Sequence, residues 1–149
     1  MSESHELFAF LRAESKVAGV PATAETSAAY FLAKLASECD PSDVEHDISH
    51  KVPGVVVVDT RSAESYLEAH IPGALNLPHR DLAAEHVVGL DREATYVTYG
   101  FGPDCNAGTK GAAKLAVLGF RVKEMIGGFE YWKRDGFPVE SGKSENPSA

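Results

Sequence analysis

The apolar positions of this chain change period partway along it. Leu7, Phe8, Phe10, Leu11 and Val17 recur at loose helical spacing and predict a first helix within residues 1–19, with Gly19 as its stop. Val20-Pro21 breaks the pattern. A second helix is predicted over 24–39, capped by Thr23 or Thr26, with Ala28, Phe31, Leu32, Leu35 and Ala36 on its apolar positions and Cys39 at its end. Asp40-Pro41-Ser42-Asp43 reads as a turn, and the polar, His-rich run 44–51 reads as an irregular or short extended connection.

From residue 55 the period shortens. Val55 to Val58 followed by Asp59 is apolar without alternation, the pattern of a strand buried on both faces. Ser62 caps a short helix over 63–70. A turn at 71–74, a strand over 75–77 and a helix over 82–89 capped by Asp81 follow. Next come a buried strand over 93–99, a helix over 110–118 closed by Gly119, a strand over 121–125 and a helix over 129–133. Strands alternating with short helices predict an α/β fold on a central, mainly parallel sheet. Ligands of such folds bind beyond the carboxyl ends of strands, here the loops after Asp59 and Tyr99. The tail, 139–149, is polar with no apolar face and reads as flexible and disordered.

Composition narrows the function. The 149 residues suit one domain with terminal additions, and the net charge of -8 argues against nucleic acid or an anionic membrane as partner. No apolar run approaches the length of about 20 residues that a membrane span needs. The N-terminus lacks a basic segment and an apolar core, so a cytoplasmic location is expected. No cofactor is called for. The six histidines (5, 46, 50, 70, 79, 86) are scattered, and the near-helical His46–His50 spacing reads as chance rather than a metal site. Of the two cysteines, Cys39 reads as a small structural residue. Cys105 lies in the Gly-rich loop between the strand ending at Tyr99 and the next helix. There, loop N–H groups and a helix dipole would favour a thiolate.

Two long runs carry a family resemblance. D-T-R-S-A-E-S-Y-L-E-A-H-I-P-G-A-L-N-L-P (Asp59 to Pro78) and G-F-R-V-K-E-M-I-G-G-F-E-Y-W (Gly119 to Trp132) resemble the two signatures of the rhodanese-like domain, in the right order and spacing. The resemblance covers roughly residues 25–138 and divides the chain into an N-terminal helical extension (1–23), a rhodanese-like domain (24–138) and the tail (139–149). It implies a three-layer fold with a central five-stranded sheet. It also implies sulfurtransferase chemistry, in which a cysteine thiolate takes the outer sulfur of a small donor such as thiosulfate as a persulfide. A thiol, cyanide or a protein acceptor then removes that sulfur.

The loop departs from the family pattern. A cysteine is expected directly after the strand, where this chain has Gly100, and the loop is about three residues longer. Counted from Cys105, C-N-A-G-T-K (Cys105, Asn106, Ala107, Gly108, Thr109, Lys110) fits the C-x-x-G-x-R/K loop, with Cys105 as nucleophile and 106–110 around the substrate. Counted from Gly100, the nucleophile is missing, and the chain reads as a weak or inactive module that binds a partner or relays sulfur within a complex. A phosphatase reading fails for want of an arginine in the loop. Asp59 and Arg61 read as a charge pair fixing the loop after the strand, or as substrate contacts. His70 reads as a hydrogen-bonded structural residue rather than a base. Arg80 reads equally as an anion-binding group or a surface arginine. Phe8 and Phe10 on the first helix read either as a place to dock a partner or a second copy in a homodimer, or as residues that simply pack on the domain's own core.

Overall fold

The computed structural model describes residues 2–12, 14–19 and 21–143. Val20 and the tail from 144 onward, expected to break a helix and to be disordered, lie outside them. The chain forms two compact units, Met1–Leu35 and Ala36–Ala149.

The first unit carries α1 (Glu3–Arg12) and most of α2 (Ala24–Ser37), and neither helix has a buried residue. The second unit is built on one five-stranded sheet in the order β1-β5-β4-β2-β3. The strands are β1 (Glu38–Cys39), β2 (Val55–Asp59), β3 (Leu75–Asn76), β4 (Thr95–Tyr99) and β5 (Arg121–Met125), all parallel. Helices cover both faces. Val57, Val97, Tyr99 and Met125 point to one face, where they pack with Val44 of α3 (Pro41–Ser49), Tyr66 of α4 (Ala63–Glu68), and Phe129 and Trp132 of α6 (Gly128–Arg134). Val56, Val58 and Tyr96 point to the other, against Leu115 of α5 (Ala107–Val117) and against Leu82, Val87 and Phe120. The alternation inside the VVVV run thus feeds two cores, which is why it carries no polar residue.

The first helix ends at Arg12 rather than at Gly19, and four further expectations in the fold need correction. The second helix stops at Ser37, and Cys39 lies in β1, opposite Met125 of β5. The run after Asp40 is not irregular but helical, as α3. Asp40 Oδ1 accepts from the Asp43 N–H at 2.8 Å, Asp43 returns the bond to the Asp40 N–H, and Pro41 occupies the first turn. Val44 and Ile48, four apart, seat the helix on the core. The stretch 82–89 makes only one 3₁₀ turn, Ala84–His86. Its core anchors Leu82 and Val87 are five residues apart, a spacing no α-helical face can serve.

The fourth correction is the start of the tail, which docks. His70 and Glu140 exchange backbone hydrogen bonds of 2.9 Å each way, and Gly142 N–H donates to Leu67 O at 2.8 Å. The Glu140 carboxylate also accepts from Gly73 N–H at 3.0 Å and meets His70 Nε2 at 2.9 Å. His70 is fully buried, stacked on Tyr66 at 3.6 Å, and donates from Nδ1 to Tyr66 O. Its work is to close the turn at 71–74.

Candidate functional site

The site forms at the carboxyl ends of β2 and β4. Its foundation is the buried Asp59–Arg61 pair. Arg61 Nη2 lies 2.7 Å from Asp59 Oδ2, Arg61 Nε lies 3.0 Å from Oδ1, and the Arg61 backbone N–H also donates to Oδ1 at 2.9 Å. Tyr99 Oη donates to Asp59 Oδ2 at 2.8 Å. Burial and the Asp59 charge hold the Tyr99 phenol well above its ordinary pKa, so it stays a donor. Burial pulls the Arg61 pKa down, but the Asp59 hydrogen bonds and charge outweigh it and the pKa is raised. The guanidinium sits 4.3 Å from the Phe129 ring centroid and 5.2 Å from that of Phe101. Arg61 therefore reaches out of the β2 end to hold the loop that follows β4.

That loop, 100–106, rests on α6. Phe129 N–H donates to Gly100 O at 2.9 Å and Glu130 N–H to Phe101 O at 2.8 Å. The approach requires glycine at 128, where φ is +64° and a Cβ would meet Gly102 N at 2.6 Å. A tight turn follows, with Cys105 N–H donating to Gly102 O at 3.1 Å. With its carbonyls occupied in this way, the loop keeps donors. Among the described residues, the N–H groups of Phe101, Gly102, Ala107, Gly108 and Thr109 have no protein acceptor. The last three open helix α5, so its positive end faces the loop.

Helix α5 starts at Ala107, three residues before the expected 110. Ala107 and Gly108 are buried, and a Cβ on Gly108 would stand 3.1 Å from Gly100 N and 3.2 Å from Tyr99 C. The small residues let the first turn press against the end of β4. The five-residue displacement of Cys105 is thereby folded back. Cys105 Sγ lies 3.6 Å from the point where a Cβ on Gly100 would stand, and Gly108 N lies 3.1 Å from the same point.

Half-buried Cys105 borders two cavities. The larger, about 800 Å³, runs between the loop and the end of β5, and Asp104 and Glu124 are the charged residues lining it. Thr109 Oγ1 donates to Glu124 at 2.8 Å, and burial raises the Glu124 pKa. The smaller, about 440 Å³, is lined by Arg61, Ser62, His79, Arg80, Phe101, Cys105 and others. Burial and the charges of Lys110, Arg80 and Lys114 lower the His79 pKa against the opposing charge of Asp81, which lines the same cavity.

The expected substrate residues divide between these spaces. Asn106 and Thr109 line the larger cavity, Ala107 and Arg80 the smaller. Gly108 is packed beneath the loop, and Lys110 lines neither cavity. Phe101 and Glu124 had drawn no attention in the sequence. The β4–β5 register, which only the fold sets, places Glu124 opposite Thr98 and so beside the loop. Cys39 lies outside the site, and burial and the neighbouring Asp43 push its thiol up to about 12. Among the described residues no group of three or more His, Cys, Asp or Glu side chains is placed to hold a metal ion, and no helix is long and apolar enough to cross a membrane.

A parallel sheet covered by helices, with a cysteine in the strand-end loop just before a helix, defines an α/β protein of the doubly covered class. The rhodanese-like domain matches residues 41–135, and the chain belongs to that family. It is 34% identical over 99 residues to the thiosulfate sulfurtransferase GlpE of Pseudomonas entomophila, spanning 65% of this chain and 86% of that one. It is 33% identical over 88 residues to the HTH-type transcriptional regulator Rv0324 of Mycobacterium tuberculosis, 59% of this chain but only 38% of that longer protein. Among solved structures, the BH2092 protein from Bacillus halodurans superposes with a TM-score of 0.78 at 42% identity, covering 80% of this chain and 87% of that one.

Proposed function

We propose that this protein is a sulfurtransferase that carries sulfane sulfur on Cys105. One observation carries the reading: Cys105 Sγ stands 3.6 Å from the missing Cβ of Gly100. The sulfur thus lies within van der Waals reach of the strand-end position, where Gly108 N also stands. The loop and α5 N–H donors around that point would stabilise the anionic persulfide. Relatives named thiosulfate sulfurtransferase support the donor class.

In the first half-reaction the Cys105 thiolate attacks the outer sulfur of thiosulfate. A bond forms between the two sulfurs, the bond from the outer sulfur to the sulfonate sulfur breaks, and sulfite leaves with the electron pair. In the second, cyanide or a thiolate attacks the outer persulfide sulfur, and the Cys105 thiolate is released. Arg80, exposed at the mouth of the smaller cavity, meets the oxyanion end of the donor. Asp59 and Arg61 act through position, by holding Phe101.

Incubation with thiosulfate should add one sulfur atom to the intact protein mass, and Cys105→Ala should abolish the adduct. Gly100 at the strand end favours a second reading, a non-catalytic rhodanese-like module. Failure of the wild-type protein to form any adduct would establish that reading instead.

A further inference from the structure

We infer that α2 is a dimerisation helix, pairing antiparallel with α2 of a second copy of this chain. Every residue of α2 except Ser27 is exposed. Tyr30 is 60%, Phe31 55%, Leu32 67% and Leu35 68% exposed. A helix with this much aromatic and aliphatic surface belongs against another surface. Helix α1 does not supply it, since Leu7, Phe8 and Leu11 are themselves more than half exposed, at 54%, 54% and 56%.

The identity of the partner is written in residue size. Ala24, Ala28, Phe31 and Leu35 recur at spacings of four, three and four, forming one stripe along about 17 Å of helix. Laid antiparallel on its own copy, the stripe places Ala24 against Leu35 of the second copy and Ala28 against its Phe31. The same layers repeat in reverse across the two-fold axis. Each large side chain meets a small one, so the helices approach closely and the layers interdigitate. A parallel pairing would set Phe31 on Phe31 and Ala28 on Ala28, leaving alternate crowding and gaps.

Charge points the same way. The chain carries a net charge of -8, which opposes self-association across most of its surface. Helix α2 has one acid, Glu25, and one base, Lys34, and is neutral. It is an apolar strip on an acidic molecule, suited to a copy of itself rather than to a basic partner.

Sedimentation of the full chain in reducing buffer should give twice the chain mass. Phe31→Glu and Leu32→Glu should each give a monomer at the same concentration, with unchanged near-UV dichroism and unchanged persulfide formation, because neither side chain belongs to the core of the second unit. Phe31→Ala should weaken the dimer at least about tenfold. In the double variant Ala24→Cys with Leu35→Cys, mild oxidation should join peptide 24 of one copy to peptide 35 of the other. A wild-type protein that sediments as a monomer at every concentration overturns the inference. So does a dimer that survives both glutamate variants, or a link between the two copies of residue 24. The mass-adduct experiment on Cys105 reads the sulfur chemistry separately, so either can fail alone.

Discussion

Cys105 has two unlike neighbourhoods. On the side of β2 and β3 the walls are built from side chains, with Arg61 and Arg80 against the single acid Asp81, and with Lys110 and Lys114 close enough to lower the His79 pKa. On the side of β5 the walls are glycine backbone and the carboxylates Asp104 and Glu124. In the proposed reaction a doubly charged sulfur donor would be drawn to the first side and repelled by the second. If the proposed reaction holds, the difference teaches that charge would select the side of approach, while the loop amides that border the larger cavity would hold the transferred sulfur.

Mutations on the two sides should therefore differ in size and kind. The largest effect is expected at the foundation of the first side. Asp59→Asn leaves the Arg61 guanidinium buried without its counter-charge and should lower stability by about 3–5 kcal/mol in urea unfolding, with persulfide formation falling as Phe101 loses its anchor. A small loss would mean that Ala69 O, which accepts from Arg61 Nη2 at 2.7 Å, can hold the side chain alone.

Arg80→Ala should lower kcat/KM for thiosulfate by about threefold to tenfold without changing stability, since the side chain is exposed and its charge is screened. The loss should shrink at high salt. An equal loss for an uncharged sulfur donor would remove the distinction between the two sides.

The smallest effect is expected across the loop, at Glu124. Burial raises its pKa in the folded protein, so the native state binds the proton more tightly than the unfolded chain does. Its contribution to stability is therefore present at low pH and lost as pH rises through the carboxylate range. Glu124→Gln should be more stable than wild type at neutral pH by no more than about 0.5 kcal/mol, and the difference should vanish on acidification. Reversed pH dependence in thermal unfolding would mean that the Thr109 hydrogen bonds dominate over burial.

Much of this architecture is legible along the chain. The four consecutive valines, the turn at 71–74 and the Gly127-Gly128 pair each encode their surroundings locally, through burial on both faces and backbone conformations open to glycine. The failures were local too. Asp40-Pro41-Ser42-Asp43 satisfies the rules of a turn and of a helix cap alike, and only the seating of Val44 and Ile48 on the core decides between them. The short β1 at Glu38–Cys39 has no signal of its own, because it exists through its pairing with Glu124 and Met125. Glu140 looked like part of a polar tail, yet its carboxylate completes the turn at Gly73.

By itself the sequence determined the α/β alternation, the family resemblance and the residues available for chemistry, because each depends on composition and spacing over short stretches. It left the distance between Gly100 and Cys105 open, since a loop holding three glycine or proline residues between β4 and Asn106 has many conformations. Tertiary structure decided it. Gly128 admits the loop onto α6, Gly108 admits α5 onto β4, and between these two close approaches the Cys105 sulfur comes back to the strand end.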